Sequence, residues 1–247
     1  PKAFLLENVK GLLSAPLKHR PLNERGKNFP ELEKEEQNGS ALEYLLNQVK
    51  DYDVKYKVIN SAEYGVPQKR ERVIFVGIRK DLNKTYTFPK ITHGKDTGHP
   101  FNTVEDVINE LKNVEHHYVK YSEERLKYMK LIPLGGGNWR DLDESVAQTA
   151  LGGAYKSGGG KTGYFRRIKA NEPSPTLLTS PIQKSTNIGH PYEDRPLSIE
   201  EYVAIQGFPK GYKINGTIND QYTQIGNAVP VKVAKILGTK LIEILEK

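Results

Sequence analysis

Apolar positions fall into a few patterned runs separated by long polar stretches. Residues 3–9, Ala-Phe-Leu-Leu-Glu-Asn-Val, make an apolar run that ends in two polar groups, which predicts a short buried strand. Ser40 and Glu43 have capping-box spacing. Leu42, Leu45, Leu46 and Val49 then share one helical face, so a helix is expected from Ser40. Residues 53–59 alternate as a strand does, with Val54, Tyr56 and Val58 on one side. Arg72 to Ile78 is a second β-rich run. The turn signal Gly65-Val66-Pro67 lies between them, and the short connection suits an antiparallel pair. Strand, helix, strand, strand predicts part of an α/β sheet.

Between and beyond these runs the pattern changes. Residues 14–39 are polar, charged and rich in Pro, Asn and Glu, and read as a loop that orders on contact. Helices are expected at 104–113 and 123–132, opened by Thr103 and Ser122 as N-caps. From Pro133 to His190 periodicity fades and glycine clusters interrupt the chain, predicting an irregular substrate-facing region with short strands. Order returns at Ser198-Ile199-Glu200-Glu201, another capping box, and that helix stops at Gly207 with Pro209 beyond. A last helix carries Pro230 near its first turn. Its apolar stripe of Val233, Ile236, Leu237, Leu241, Ile244 and Leu245 reads as core packing.

Composition narrows the function classes. The chain has 247 residues, enough for one large domain or two modest ones. No apolar run reaches the roughly 18 residues of a membrane helix, and no signal segment opens the chain. An intracellular setting is therefore expected, cytoplasmic and, in a bacterium, associated with the nucleoid. Zero cysteines removes disulfides, thiolate zinc sites and thiol nucleophiles from this chain, and no metal site is expected. The net charge is +7, and residues 151–190 hold 6 basic and 1 acidic side chains together with Tyr155, Tyr164 and Phe165. Basic and aromatic groups side by side suit phosphates and bases; a solvated flexible loop is the plainer alternative. Ser157-Gly158-Gly159-Gly160-Lys161-Thr162 looks like the end of a phosphate-binding loop. Tyr155 stands where that motif needs a glycine, and neither the preceding strand nor the following helix is evident, so no nucleoside triphosphate site is expected.

The motifs and their order carry more. Pro1-Lys2-Ala3-Phe4-Leu5-Leu6-Glu7-Asn8-Val9 opens the chain, and Tyr64-Gly65-Val66-Pro67-Gln68-Lys69-Arg70-Glu71-Arg72 follows. Arg195-Pro196-Leu197-Ser198 leads on to Gln206-Gly207-Phe208-Pro209, and Gln224-Ile225-Gly226-Asn227-Ala228-Val229-Pro230 comes last. This series resembles the sixth to tenth motifs of the cytosine-5 DNA methyltransferase family. The resemblance implies the C-terminal half of a DNA (cytosine-5-)-methyltransferase. The expected fold is α/β: a partial, Rossmann-like S-adenosylmethionine-dependent methyltransferase sheet with a smaller irregular α+β target-recognition domain. Residues 1–89 would belong to the catalytic domain, 90–190 to target recognition, and 191–247 to a return segment whose last helix packs on the catalytic domain.

By the same resemblance Glu7 would contact the ring nitrogen and amino group of a flipped-out cytosine and act as an acid, the chemistry a carboxyl can supply as charge builds on the ring. Arg72 would contact the base's carbonyl oxygen, and Arg70 would bind DNA backbone or steady the catalytic loop. Alternation along one strand would point both arginines to one site. Asn227 and Ala228 would touch S-adenosylmethionine. Arg166, Arg167 and Thr176, in the threonine-leucine element Pro173-Ser174-Pro175-Thr176-Leu177-Leu178, would contact double-stranded DNA, and Gln183 suits adenine. The family's glycine-rich cofactor loop, its acidic ribose contact and its Pro-Cys nucleophile are absent from this chain. The expected partners are therefore duplex DNA and an N-terminal half, without which the chain alone is expected to be inactive. The alternative is a non-catalytic, sequence-specific DNA-binding module derived from such an enzyme. Residues 3–9 would be an interior strand of a parallel sheet whose neighbour lies in the missing half.

Overall fold

The computed structural model describes residues 1–158 and 161–246. Part of the phosphate-loop-like stretch Ser157–Thr162 therefore lies outside the described residues. Two compact units divide the chain: one holds Pro1–Asn60, Glu71–Lys90 and the last helix from Lys235, and the other holds Ser61–Arg70 and Ile91–Ala234. This differs from the three-part expectation, because the motif residues 61–70 and 191–234 belong with 91–190.

The first unit is built on a sheet of β1 (Ala3–Val9), β2 (Tyr52–Asn60) and β4 (Glu71–Arg79), in the order β1-β4-β2 with both pairs antiparallel. β4 is central and reads as an apolar run because both its faces are covered: Val73, Ile74, Phe75, Val76 and Ile78 are buried. Phe4 lies over Gly77, where an added Cβ would sit 2.2 Å from its ring. The expectation of a buried strand at residues 3–9 is corrected in this chain: β1 pairs antiparallel with β4, and Leu5, Leu6 and Val9 are exposed. Its other edge pairs with no strand among the described residues.

Helix α1 (Ser40–Gln48) presents Leu42, Leu45, Leu46 and Val49 inward as the periodicity requires. Its cap differs from the sequence reading. Gly39, at φ 87°, is the N-cap. Ser40 is buried instead, accepting from Leu17 N–H and donating to Glu35 O, both at 2.8 Å. These bonds help order the polar 14–39 stretch, as does the Arg20–Glu36 ion pair.

The second unit begins with β3 (Gln68–Lys69), which pairs in parallel with β5 (Ser174–Pro175). It contains α2 (Val104–Ile108), α3 (Glu123–Met129), α4 (Glu144–Leu151), α5 (Gly153–Lys156), α6 (Ile199–Ile205) and α7 (Ile218–Asn227). α8 (Val231–Glu246) starts in this unit. Thr103, Ser122 and Ser198 cap their helices through the side-chain oxygen. Gly207 follows α6 at φ 76°, a left-handed position that costs glycine little. The core gathers Val104, Ile108, Ile168, Leu177, Ile188, Leu197, Tyr202, Tyr222 and Ile225. The segment expected to be irregular holds α4 and α5, and α7 was not anticipated at all. Among the described residues no helix is long and apolar enough to cross a membrane, and no group of three or more His, Asp or Glu side chains is placed to hold a metal ion.

Candidate functional site

In the first unit β1 and β4 bring Glu7 and Arg72 together. Glu7 pairs across the ladder with Ile74, and Val9 with Arg72, so the two charged side chains are diagonal neighbours on one face. Arg72 Nε lies 2.8 Å from Glu7 Oε1. The contact is an ion pair without an aligned hydrogen bond, since Oε1 is buried and accepts no well-directed N–H. Arg72 Nη1 donates to Glu71 O at 2.9 Å. The result is a carboxylate held in place by charge on a side chain that stays 22% exposed. As the carboxylate it can only accept; once protonated it can donate to a ring nitrogen.

In the second unit a different group of residues converges. Ser174 N–H donates to Pro67 O at 2.8 Å beside the β3–β5 pair, and Thr176 Oγ1 donates to Lys69 O at 3.0 Å. Thr176 is only part-buried, so one side of the threonine-leucine element stays accessible. Arg70 is a correction. The strand is broken at this residue, and its side chain is 2% exposed with Nη1 donating to Leu177 O at 3.3 Å. It steadies the Thr176-Leu177 backbone and cannot reach a phosphate.

Arg167 is a second correction. It is 1% exposed, and its guanidinium is consumed by backbone carbonyls. Nε donates to Ile132 O at 3.1 Å, Nη1 to Glu193 O at 2.6 Å and His190 O at 3.3 Å, and Nη2 to Met129 O at 2.8 Å and to Asp194. A guanidinium so surrounded is a structural cross-link and not a DNA contact. Arg166 is part-buried, with Nε donating to Asn187 O at 3.1 Å, and burial lowers its pKa. Gln183 and Lys184 stand exposed at a loop tip nearby. Beneath that loop a cleft of about 170 Å3 is lined by Arg125, Tyr128, Tyr164, Phe165 and Lys184, and Phe165 adopts φ 42°.

Asn227 ends α7 and Ala228 caps it. The Asn227 side chain is exposed and makes no hydrogen bond among the described residues, and Ala228 beside it adds a single methyl group. This pair therefore leaves an amide free for a ligand's polar groups.

Sequence reasoning missed two buried glutamines, Gln68 and Gln206, which bond to each other at 3.0 Å. It also missed α7, although Thr217 and Asp220 form a capping box and Ile218, Tyr222 and Ile225 follow helical spacing. That signal was present in the sequence.

The C-5 cytosine-specific DNA methylase family matches residues 1–243. Among curated proteins, the Type II methyltransferase M.Sau96I of Staphylococcus aureus is 39% identical over 100% of this chain and 52% of its own length. M.PspPI of Psychrobacter sp. is 36% identical over 99% and 55%, and M.Eco47II of Escherichia coli 34% over 100% and 55%. The chain thus spans about half the length of the curated relatives it matches. A solved structure described as a prophage-encoded DNA modification methyltransferase from E. coli covers the whole chain and 70% of its own, with TM-score 0.59 and 21% identity. The Entamoeba histolytica methyltransferase EhMeth does so with TM-score 0.52 and 16% identity, covering 64% of its own chain. These two likenesses speak to the α/β fold. On the family match and the curated relatives together, the chain belongs to the C-5 cytosine-specific DNA methylase family.

Proposed function

We propose that this chain is the C-terminal half of a DNA (cytosine-5-)-methyltransferase, holding a flipped cytosine and reading the surrounding duplex while an N-terminal half supplies the thiol nucleophile. The observation that carries this reading is Glu7, whose carboxylate is held 2.8 Å from Arg72 Nε while its side chain stays 22% exposed. A target base entering beside β1 meets this side chain, and the carboxyl, once it has taken up a proton from solvent, can donate it to the ring nitrogen. Negative charge develops on the ring when a nucleophile adds at carbon 6, and the proton from Glu7 offsets it. Arg72 keeps the carboxyl oriented and offers N–H groups to the base's carbonyl oxygen.

S-adenosylmethionine supplies the methyl group when bound. In this chain Asn227 and the backbone at Ala228 are the residues proposed to hold it, making a partial site. Residues 90–190 are proposed to read the duplex, with Thr176 and Arg166 facing DNA, and residues 191–247 to form the return segment and last helix. The reading as a DNA-binding module without catalysis leaves the Glu7–Arg72 pair without a task.

The test supplies the N-terminal half and measures single-turnover methyl transfer. Glu7→Gln should slow the chemical step by about two or more orders of magnitude, the scale of a general acid, with duplex affinity little changed. An unchanged rate would remove Glu7 from the site.

A further inference from the structure

Gln68 and Gln206 are both fully buried, at 0% exposure. They form one directed chain of hydrogen bonds. Leu177 N–H donates to Gln68 Oε1 at 3.0 Å, and Gln68 Nε2 donates to Gln206 Oε1 at 3.0 Å. Gln206 Nε2 then donates to Ile225 O at 2.6 Å and Ala228 O at 3.3 Å. The direction is forced from both ends. A backbone N–H can only donate and a backbone carbonyl can only accept, so neither amide can turn over without stranding buried polar groups.

The surrounding packing is equally tight. Leu177 O accepts from Arg70, Thr176 Oγ1 donates to Lys69 O, and Val231 N–H donates to Gln206 O at 3.1 Å. Gly226 lies flush against the next two residues of the threonine-leucine element. A Cβ built there would fall 2.5 Å from Leu178 O and 2.8 Å from Thr179 N. The segment from Thr176 to Thr179 is therefore clamped between Gln68–Arg70 and Gly226–Ala228. A close-packed interior has little slack, and displacement on one side must appear on the other.

We propose that Gln68 and Gln206 are positioning residues that couple duplex engagement at the Thr176 segment to cofactor contact at Asn227-Ala228, so that each ligand tightens binding of the other. This rests on the proposed function, which assigns those two ligands. A backbone shift at Leu177 moves the Gln68 amide. Its locked polarity passes the shift to Gln206 and on to the carbonyls of Ile225 and Ala228. Coupling of this kind is reciprocal.

The experiment titrates S-adenosylhomocysteine, the non-reactive product, into the chain complemented with its cysteine-bearing half, with and without target duplex. Coupling in the unaltered protein should be about fivefold or more, the usual lower range. Gln68→Met and Gln206→Met each keep side-chain length and should bring that factor close to one. The double variant should lose no more than either single variant, because both act in one chain. Gln68→Glu gives a second route: it still accepts from Leu177 N–H but cannot donate onward, and it should lose coupling as well. A purely structural role would lower both affinities and leave their ratio unchanged, which would overturn the proposal, as would additive losses in the double variant. If the unaltered protein binds both ligands with no coupling, the proposal falls while the proposed function stands. If it binds neither, both fall.

Discussion

Replacing Arg167 with Ala separates a structural arginine from a DNA-binding one. The change removes donors to four backbone carbonyls, those of Met129, Ile132, His190 and Glu193. It also removes the partner of Asp194, whose side chain is 41% exposed and so loses little, since water re-solvates it. The carbonyls decide the magnitude. A hydrogen bond from a charged group contributes about 1.5–3 kcal/mol, and bonds that share one side chain do not add fully. Breaking a buried charged cluster by truncating one member costs about 3–5 kcal/mol, and that is the expected loss. At roughly 2–4 °C per kcal/mol for a protein of this size, the unfolding midpoint should fall by about 6–20 °C. Urea unfolding should show a lower midpoint with an unchanged slope. Arg167→Lys should rescue little, because one ammonium cannot span carbonyls drawn from several loops. A stability change below about 0.5 kcal/mol, the scale of an ordinary surface substitution, accompanied by weaker DNA binding, would return Arg167 to the DNA surface.

Other outcomes follow from the same geometry. Arg166→Glu should weaken duplex binding and lower the salt slope by about one for each lost phosphate contact; binding titrations across salt concentrations check it. Glu201 is buried, which alone would raise its pKa, but hydrogen bonds and charge from His190 and Arg195 outweigh this and hold the carboxyl down to about 2, against an ordinary 4.5. A carboxyl depressed on folding stabilises the protein above its unfolded pKa, and that contribution is lost as pH falls through the folded one. The unfolding midpoint should therefore drop between about pH 4.5 and 2, and Glu201→Gln should flatten that dependence while lowering the midpoint at neutral pH.

Local signals carried much of the fold. Ser198 with Glu201, Gly207 and Pro230 mark helix boundaries, and α6 and α8 lie where they indicate. Glu7 and Arg72 were singled out only through the resemblance; their contact rests on the β1–β4 register, which no local pattern in the sequence shows. Burial of arginine was not legible. In a sequence Arg70 and Arg167 are only positive charges. The carbonyls that bury Arg167 come from residues 129–132 and 190–193, brought to it by tertiary packing. The capping box at Ser40 matched the pattern, yet Gly39 took the cap because a left-handed residue turned the chain one position earlier. The long separation of Gln68 from Gln206 likewise hid their bond from any local pattern.

The most direct measurement is transfer of label from S-adenosylmethionine to cytosine-containing duplex, by this chain alone and after addition of an N-terminal half bearing the family's cysteine. The chain alone should transfer no label above a blank, since it holds no cysteine, and label should appear at carbon 5 of cytosine once the two halves are combined. Transfer by the chain alone would mean that the nucleophile lies elsewhere than in the added half.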